Sequence, residues 1–225
     1  MQSAEIELKF PIHDLARLES LLPGLGFLLD TPRTFESNTL YDTPARTLRE
    51  SKQILRIRRY GSLWTVTHKC QSRASPNITD PDRYKVRIET ETQLEDGPTL
   101  GAIFETLGYA PVFRYEKFRT EWSQITPSID GPLFTNAIHP VEISGPAPRC
   151  HLVIDETPVG DYAELEGPPA WIDDTLVKLG VDPAACLTDS YGRLFTIWKQ
   201  RTGSSAENLT FDEITAPALL QPALP

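Results

Sequence analysis

Two pairs of carboxylates stand near opposite ends of the chain, each with the spacing of residues that share one face of a β-strand. The first pair is Glu5 and Glu7, and the second is Glu164 and Glu166. Side chains two residues apart along a strand point to the same side and lie about 7 Å apart. Carboxylate oxygens are the ligands that Mg²⁺ and Mn²⁺ prefer. Together with Asp155 on a neighbouring predicted strand, the two pairs predict a site for one of these cations.

Basic residues follow the same two-residue alternation. The side chains predicted to bind phosphate are Lys9, Arg56, Arg58, Lys69, Lys85, Arg87, Lys117 and Arg119. Arg114 is added to them, although its place in the alternation is ambiguous. Forked Arg guanidinium groups and point-charged Lys ammonium groups suit phosphate oxygens. The cations and carboxylates together predict a small-molecule polyphosphate, such as a triphosphate, that binds with a divalent metal.

Three residues are candidates for a direct part in catalysis. Lys9 and Lys69 lie on the charged strand faces, where a cation would neutralise charge that develops on a reacting phosphate. Tyr41 is a candidate for proton transfer, with a packing role as the alternative. The spacing of the Ser, Cys and His residues suggests no nucleophile triad.

Periodicity along the chain predicts the elements that carry these residues. Alternation of apolar and polar residues predicts strands over 4–10, 34–43, 55–58, 63–69, 84–91, 112–122, 151–155 and 161–166. Apolar stripes at helical spacing predict helices over 14–22, 98–108, 168–179 and 188–200. We expect one domain over 1–201, with an insertion or long hairpin loop over 123–148 and a flexible tail over 202–225.

The strand faces indicate how the sheet closes. One face of nearly every predicted strand is charged and the other is apolar. An open sheet with a solvated outer face is the alternative, but solvent-facing strand positions usually mix Thr, Ser and Gln with Lys. A closed sheet has no free edges, and its apolar outer face can be buried under helices. We therefore predict an α+β fold built on a closed antiparallel β-barrel with a charged interior and flanking helices.

Composition limits the class of protein and its partners. A net charge of −9 argues against nucleic-acid binding. The longest apolar runs are too short for a membrane span, and the first residues do not resemble a signal peptide. The three cysteines, Cys70, Cys150 and Cys186, have no metal-binding spacing and are expected to be reduced thiols. A cytoplasmic protein is the expectation.

Several short motifs follow one another in a specific order. They are Glu5-Ile6-Glu7-Leu8-Lys9, Tyr41-Asp42-Thr43-Pro44, Leu55-Arg56-Ile57-Arg58, Arg87-x-Glu89-x-Glu91, Lys117-x-Arg119, Glu164-x-Glu166-Gly167 and Thr188-Asp189-Ser190-Tyr191. In this order they resemble the motifs of the CYTH superfamily, the triphosphate tunnel metalloenzymes, over about residues 4–200. The last of them is similar to the C-terminal motif of the bacterial cyclase-like branch.

The resemblance implies an eight-stranded antiparallel tunnel and an enzyme that uses Mg²⁺ or Mn²⁺. The function expected first is hydrolysis of inorganic tripolyphosphate, thiamine triphosphate or a nucleoside triphosphate, with water attacking the terminal phosphorus in line. An adenylate cyclase that makes cyclic AMP and pyrophosphate from ATP is the first alternative. A non-catalytic module that binds polyphosphate or nucleotide is the second. A homodimer is left open.

Overall fold

The computed structural model describes residues 2–71, 83–125 and 149–218. Its strands are β1 (Gln2–Pro11), β2 (Leu28–Asp42), β3 (Ile54–Tyr60), β4 (Leu63–Gln71), β5 (Lys85–Leu94), β6 (Ala110–Ile125), β7 (Arg149–Thr157) and β8 (Gly160–Glu166). Its α-helices are α1 (Leu15–Leu21), α2 (Thr47–Glu50), α3 (Gly97–Thr106), α4 (Pro169–Leu179), α5 (Tyr191–Thr202) and α6 (Phe211–Ala218). Two short 3₁₀ turns lie at Pro23–Leu25 and Pro183–Ala185. No helix among the described residues has both the length and the apolar character needed to cross a membrane.

The strands form one closed antiparallel barrel in the order β1-β5-β4-β3-β2-β6-β7-β8. The prediction of an eight-stranded antiparallel barrel is therefore confirmed. Closure occurs at β1, which pairs with β5 through its first half and with β8 through its second half. The first and the last strands thus become neighbours, and the two Glu-x-Glu pairs of the sequence meet there.

Apolar side chains cover the outside of the barrel beneath α1 and α4. This core contains Leu8, Phe10, Leu18, Leu22, Phe27, Trp122, Leu152, Ile154, Leu165, Ile172 and Leu176. Because successive strand residues point to opposite faces, burying Leu8 and Leu165 outside directs Glu7, Lys9, Glu164 and Glu166 inward. The charged interior is a consequence of the apolar exterior.

A second core lies where α5 packs against β6. It contains Tyr115, Tyr191, Leu194, Phe195, Leu209 and Ile214. The α5 helix begins at Tyr191, and the Ser190 side chain caps it by accepting a hydrogen bond from the Arg193 amide. This start of α5 lies next to the barrel interior.

The structure describes only part of the two segments that were predicted to be an insertion or long loop and a flexible tail. Residues 123–125 continue β6, and the rest of the predicted loop, 126–148, lies outside the described residues. The predicted tail is ordered through α6: Leu209 is fully buried and exchanges backbone hydrogen bonds with Arg114 and Glu116 of β6. Arg114 and Glu116 precede the part of β6 that pairs with β7. The segment at Leu209 takes the place of β7 beside this first part of the strand. Residues 219–225 lie outside the described part of the chain.

Leu209→Ala is expected to lower the free energy of unfolding by about 2–4 kcal/mol, because it opens a cavity in the second core. Leu107→Ala, at a leucine that is 68% exposed, is the matched control and should change that free energy by less than about 0.5 kcal/mol. Urea denaturation followed by far-UV circular dichroism measures both variants. Equal stabilities of the two variants would show that the segment after α5 does not pack as described.

Candidate active site

The barrel interior holds a cavity of about 580 Å³, here called the tunnel, which side chains from all eight strands line. The predicted site residues in its lining are Glu5, Glu7, Lys9, Arg56, Arg58, Lys69, Lys85, Lys117, Arg119, Glu164 and Glu166. Acids and bases from distant parts of the sequence therefore converge in one cavity.

Three of the predicted metal ligands form a compact group, the carboxylate cluster of Glu5, Glu7 and Glu166. One carboxylate oxygen from each lies within 4.8 Å of the others. The strand register accounts for this, because Glu7 of β1 is directly opposite Glu166 of β8. Desolvation, followed by repulsion from Glu5, raises the pKa of Glu166 to about 8. Such a concentration of hard oxygen donors and negative charge fits Mg²⁺ or Mn²⁺.

The other two predicted metal ligands lie apart from this cluster and hold cations. Asp155 is fully buried and accepts hydrogen bonds from Lys117 at 2.8 Å, from Arg119 at 2.7 Å and from the Tyr191 hydroxyl at 2.6 Å. Glu164 pairs with Lys9 at 2.9 Å and with Arg119 at 2.9 Å. Of the five predicted metal ligands, Glu5, Glu7 and Glu166 therefore converge, whereas the oxygens of Asp155 and Glu164 position basic residues.

Lys69 and Lys85 are the tunnel cations that pair with the carboxylate cluster. The Lys69 ammonium lies 2.7 Å from Glu5 and 2.9 Å from Glu89, and Lys85 forms an ion pair with Glu7. Elsewhere in the tunnel, Arg58 of β3 donates to Glu91 of β5 at 3.2 Å. The charges inside the tunnel thus partly neutralise one another, as the mixed signs in the sequence suggest.

Tyr41, the candidate for either proton transfer or packing, lies outside the tunnel. Its neighbour Leu40 points inward, so the Tyr41 ring points outward and packs on Phe104 of α3 with ring centroids 5.2 Å apart. Its hydroxyl lies so close to the backbone of Gly101 that a Cβ there would be 2.6 Å away. The glycine allows α3 to approach, and the packing alternative for Tyr41 is the one that the structure supports.

Arg114 and Arg87 also stand outside the tunnel lining. Arg114 is exposed, because it alternates with the inward-facing Phe113 and Tyr115. Arg87 shares the inner face with Lys85, but its guanidinium turns away and donates to the Lys52 carbonyl oxygen at 3.2 Å. Neither guanidinium is placed as the phosphate prediction required.

Glu36 is a functional candidate that the sequence analysis missed. It is fully buried, 3.3 Å from Lys117 and 3.9 Å from both Arg58 and Arg119, and it accepts a hydrogen bond from Asn38. Burial alone would raise the pKa of Glu36, but Lys117, Arg119 and Arg58 hold it well below its usual range. The sequence did contain a signal for Glu36: in the predicted 34–43 strand, two-residue alternation places it on the same face as Asn38 and Leu40.

The ionised Glu36 carboxylate is expected to stabilise the fold only above acidic pH. Because its pKa is lower in the folded than in the unfolded chain, its contribution is complete above the unfolded value of 4.5 and is lost as pH falls below it. The stability difference between wild type and Glu36→Gln should therefore shrink between pH 6 and pH 3. Urea titrations at several pH values measure it, and a constant difference would contradict the ionised assignment.

Tyr191 is a second functional candidate in the tunnel lining that was not predicted as a site residue. The sequence analysis names it only as the last residue of a motif. Its ring stacks on Tyr115 at 5.8 Å, and the Lys9 ammonium lies 3.9 Å from the ring centroid. Burial, followed by the charge of Asp155, raises the pKa of Tyr191 well above its ordinary value, so the hydroxyl stays protonated and donates to Asp155. Tyr191 thus connects α5 to Lys9 and Asp155.

Comparison with known proteins agrees with this architecture. A profile of the CYTH domain matches residues 3–143, which is more than half of the chain. The chain belongs to the CYTH domain family. The resemblance to this family that the sequence motifs indicated is therefore confirmed. A Methanocaldococcus jannaschii protein named "Putative adenylate cyclase" is 30% identical over 128 residues, which are 56% of this CYTH chain and 69% of that protein.

Solved structures share the tunnel fold of this CYTH protein at low sequence identity. A Vibrio parahaemolyticus protein described as a "putative adenylate cyclase" gives a TM-score of 0.59 at 16% identity, covering 85% of this chain and 97% of that one. A Hippeastrum protein described as a "putative adenylyl cyclase" with a dominant triphosphatase activity gives 0.53 at 16% identity, covering 86% of this chain and 96% of that one. These likenesses concern the fold.

Proposed function

We propose that this CYTH protein is a metal-dependent hydrolase of a triphosphate compound that releases the terminal phosphate. The observation that carries the proposal is the carboxylate cluster inside the same tunnel as the cationic walls. A module that only binds polyphosphate needs the cations but has no use for three converging carboxylates. The triphosphatase activity ascribed to the Hippeastrum protein of similar fold supports the same choice.

The carboxylate cluster is proposed to hold Mg²⁺ or Mn²⁺. Its three residues come from β1 and β8, so the rigid barrel sets their separation. When bound, the cation supplies charge neutralisation for the phosphates and makes a bound water more acidic. If Glu5 and Glu7 became metal ligands, Lys85 would lose its pair with Glu7 and Lys69 would keep only its pair with Glu89, so both ammonium groups could approach phosphate oxygens.

The remaining basic residues are proposed to grip the phosphates from fixed positions. Lys117 and Arg119 are held by Asp155 and Glu36, and the Arg56 guanidinium donates to the Thr67 and Tyr115 hydroxyls. Charges that are oriented before the substrate arrives stabilise a transition state without the cost of reorganisation. As water attacks the terminal phosphorus and the diphosphate leaves, these side chains neutralise the charge on the oxygens.

Purified protein incubated with tripolyphosphate, thiamine triphosphate or ATP, in Mg²⁺ or Mn²⁺, tests the proposal. We expect orthophosphate and the corresponding diphosphate, and no release in EDTA. Ion chromatography separates orthophosphate from pyrophosphate, and mass spectrometry detects cyclic AMP. Formation of cyclic AMP and pyrophosphate as the sole products would overturn the hydrolase proposal.

Adenylate cyclase is the second candidate, because the relative at 30% identity carries that name. The same tunnel would then hold ATP, and the ribose 3′-hydroxyl would attack the α-phosphorus. Saturable binding of triphosphates without any product would instead identify a binding module, which is the third candidate function.

A further inference from the structure

The segment that leads into α5, residues 187–191, holds Lys9 by both its backbone and its side chain. Leu187 and Lys9 exchange two backbone hydrogen bonds, at 3.1 Å from the Lys9 amide and at 2.7 Å from the Leu187 amide. The Lys9 ammonium donates to the Asp189 carbonyl oxygen at 3.1 Å and lies 3.9 Å from the centroid of the Tyr191 ring. This edge of β1 is available to the segment because β5 pairs only with the first half of β1.

The Lys9 ammonium is held from three sides. Besides the Asp189 carbonyl and the Tyr191 ring, its third partner is the Glu164 carboxylate at 2.9 Å. These partners match the three N–H donors of an ammonium group, and Lys9 is only 3% exposed. Because a lysine carries its charge on a flexible four-carbon stem, such partners decide where that charge lies. Two of the three belong to residues 187–191, so α5 and the segment before it place this charge in the tunnel lining.

The Tyr191 side chain also reaches other cations in this part of the tunnel. The Lys117 ammonium lies 4.9 Å from its ring centroid, and Lys117 and the Tyr191 hydroxyl donate to the same oxygen of Asp155. Tyr115 stacks on Tyr191 with an interplanar angle of 27° and accepts a hydrogen bond from Arg56 at 3.2 Å. One aromatic side chain therefore contacts a further cation directly and another through Tyr115.

We propose that Tyr191 is a positioning residue for Lys9 in triphosphate hydrolysis, because its ring face fixes the ammonium of this candidate for charge neutralisation at the reacting phosphate. This inference rests on the proposed function and deepens it, since the sequence motif gives Tyr191 no role. A cation–π contact is stronger where water is excluded, and Tyr191 is only 8% exposed. The ring acts on Lys9 and the hydroxyl acts on Asp155, so substitution can remove the two contacts separately.

Tyr191→Leu and Tyr191→Phe separate the ring from the hydroxyl. Tyr191→Leu removes both and should lower kcat roughly 10- to 100-fold, since a displacement of about 1 Å at a catalytic group can cost a hundredfold. Tyr191→Phe keeps the ring and should recover most of this loss. Phe195→Leu is the matched control, because it removes another buried ring from α5 and the second core, where Phe195 packs on Phe113 and Trp198. It should leave kcat within about threefold of the wild-type value.

Lys9→Met provides a readout that a merely structural role of Tyr191 would not move. If the ring acts through Lys9, Tyr191→Leu should lower kcat much less in the Lys9→Met background than in wild type, because the group that it positions is already absent. Equal fold losses in the two backgrounds would overturn the inference, since the loss would then come from packing alone. Thermal unfolding checks that each variant is folded at the assay temperature.

NMR of the unliganded protein tests the contact without any turnover. Protons above the face of an aromatic ring are shifted to high field, so the Lys9 Hε protons should show such a shift. Observed with ¹³C-labelled lysine and assigned from Lys9→Met, the shift should persist in Tyr191→Phe and disappear in Tyr191→Leu. If it behaves in this way but no triphosphate is hydrolysed, the hydrolase proposal fails while the hold of Tyr191 on Lys9 stands. A wild-type spectrum without the shift, or a wild-type kcat in Tyr191→Leu, would overturn the inference and leave the hydrolase proposal intact.

Discussion

Glu166→Gln and Glu5→Gln are each expected to lower kcat for triphosphate hydrolysis by at least about a hundredfold. Each substitution removes one charged ligand from the carboxylate cluster and replaces it with a neutral amide of nearly the same shape. The loss should fall on turnover more than on phosphate binding, because Arg56, Lys117 and Arg119 keep their own partners. Initial rates of phosphate release at saturating substrate measure the effect.

Metal affinity is the second readout for these variants. Electron paramagnetic resonance of Mn²⁺ titrations should show tight binding in wild type and weakened binding in both. Glu105→Gln, at an exposed glutamate on α3, is the matched control and should leave rate and metal affinity unchanged. Wild-type rates in both cluster variants would remove the metal assignment.

Asp155→Asn is expected to lower the free energy of unfolding by about 3–5 kcal/mol, because it leaves two buried cations without the carboxylate that they share. Asp155 is fully buried and receives hydrogen bonds from Lys117, Arg119 and Tyr191. The amide keeps the shape of the side chain but brings no charge. Guanidinium chloride would screen this effect, so urea denaturation is the measurement.

The chain contains a close control for this substitution. Asp173 also accepts from an arginine, Arg83, and from a tyrosine hydroxyl, that of Tyr84, both at 2.7 Å. The ion pair is partly exposed, with 39% and 42% of the two side chains accessible. Asp173→Asn should therefore cost less than about 1 kcal/mol. Similar losses for the two aspartates would show that burial of the tunnel network does not decide its contribution.

The two predictions separate two kinds of ion pair in one tunnel. Asp155 and Glu36 are fully buried and hold Lys117, so that pairing is part of the folded framework. Glu5 and Glu7 pair with Lys69 and Lys85 in the lining of the cavity, where under the proposed function a metal and a phosphate would replace the partners of both. We therefore expect substitutions in the pairs of Asp155 and Glu36 to change the free energy of unfolding, and substitutions in the pairs of Glu5 and Glu7 to change turnover.

Strand alternation does not decide the role of each residue in the site. Alternation assigns a face, and it correctly directed Glu5, Lys9, Arg56 and Glu166 inward. It carries no information about position along the barrel axis or about which neighbour a side chain meets. Asp155 therefore looked like a metal ligand, although its oxygens are occupied by basic residues and a tyrosine.

Helix packing explains the other differences from prediction. Tyr41 stands beside a motif aspartate, but the approach of α3 at Gly101 gives it a packing role outside the barrel. The segment around Leu209 has no periodicity of its own, and it becomes ordered because half of β6 has an unpaired edge. Both outcomes depend on contacts between distant segments, which local patterns do not encode.

The sequence by itself determined the class of fold, the charged interior and the family, because two-residue alternation and motif order are local properties that survive any arrangement of the strands. Only the tertiary structure decided which carboxylates converge. Barrel closure places β1 between β5 and β8, so Glu7 meets both Lys85 and Glu166. In the same way, the β1–β8 register places Lys9 opposite Glu164, since strand register, and not sequence distance, sets which side chains are neighbours in space.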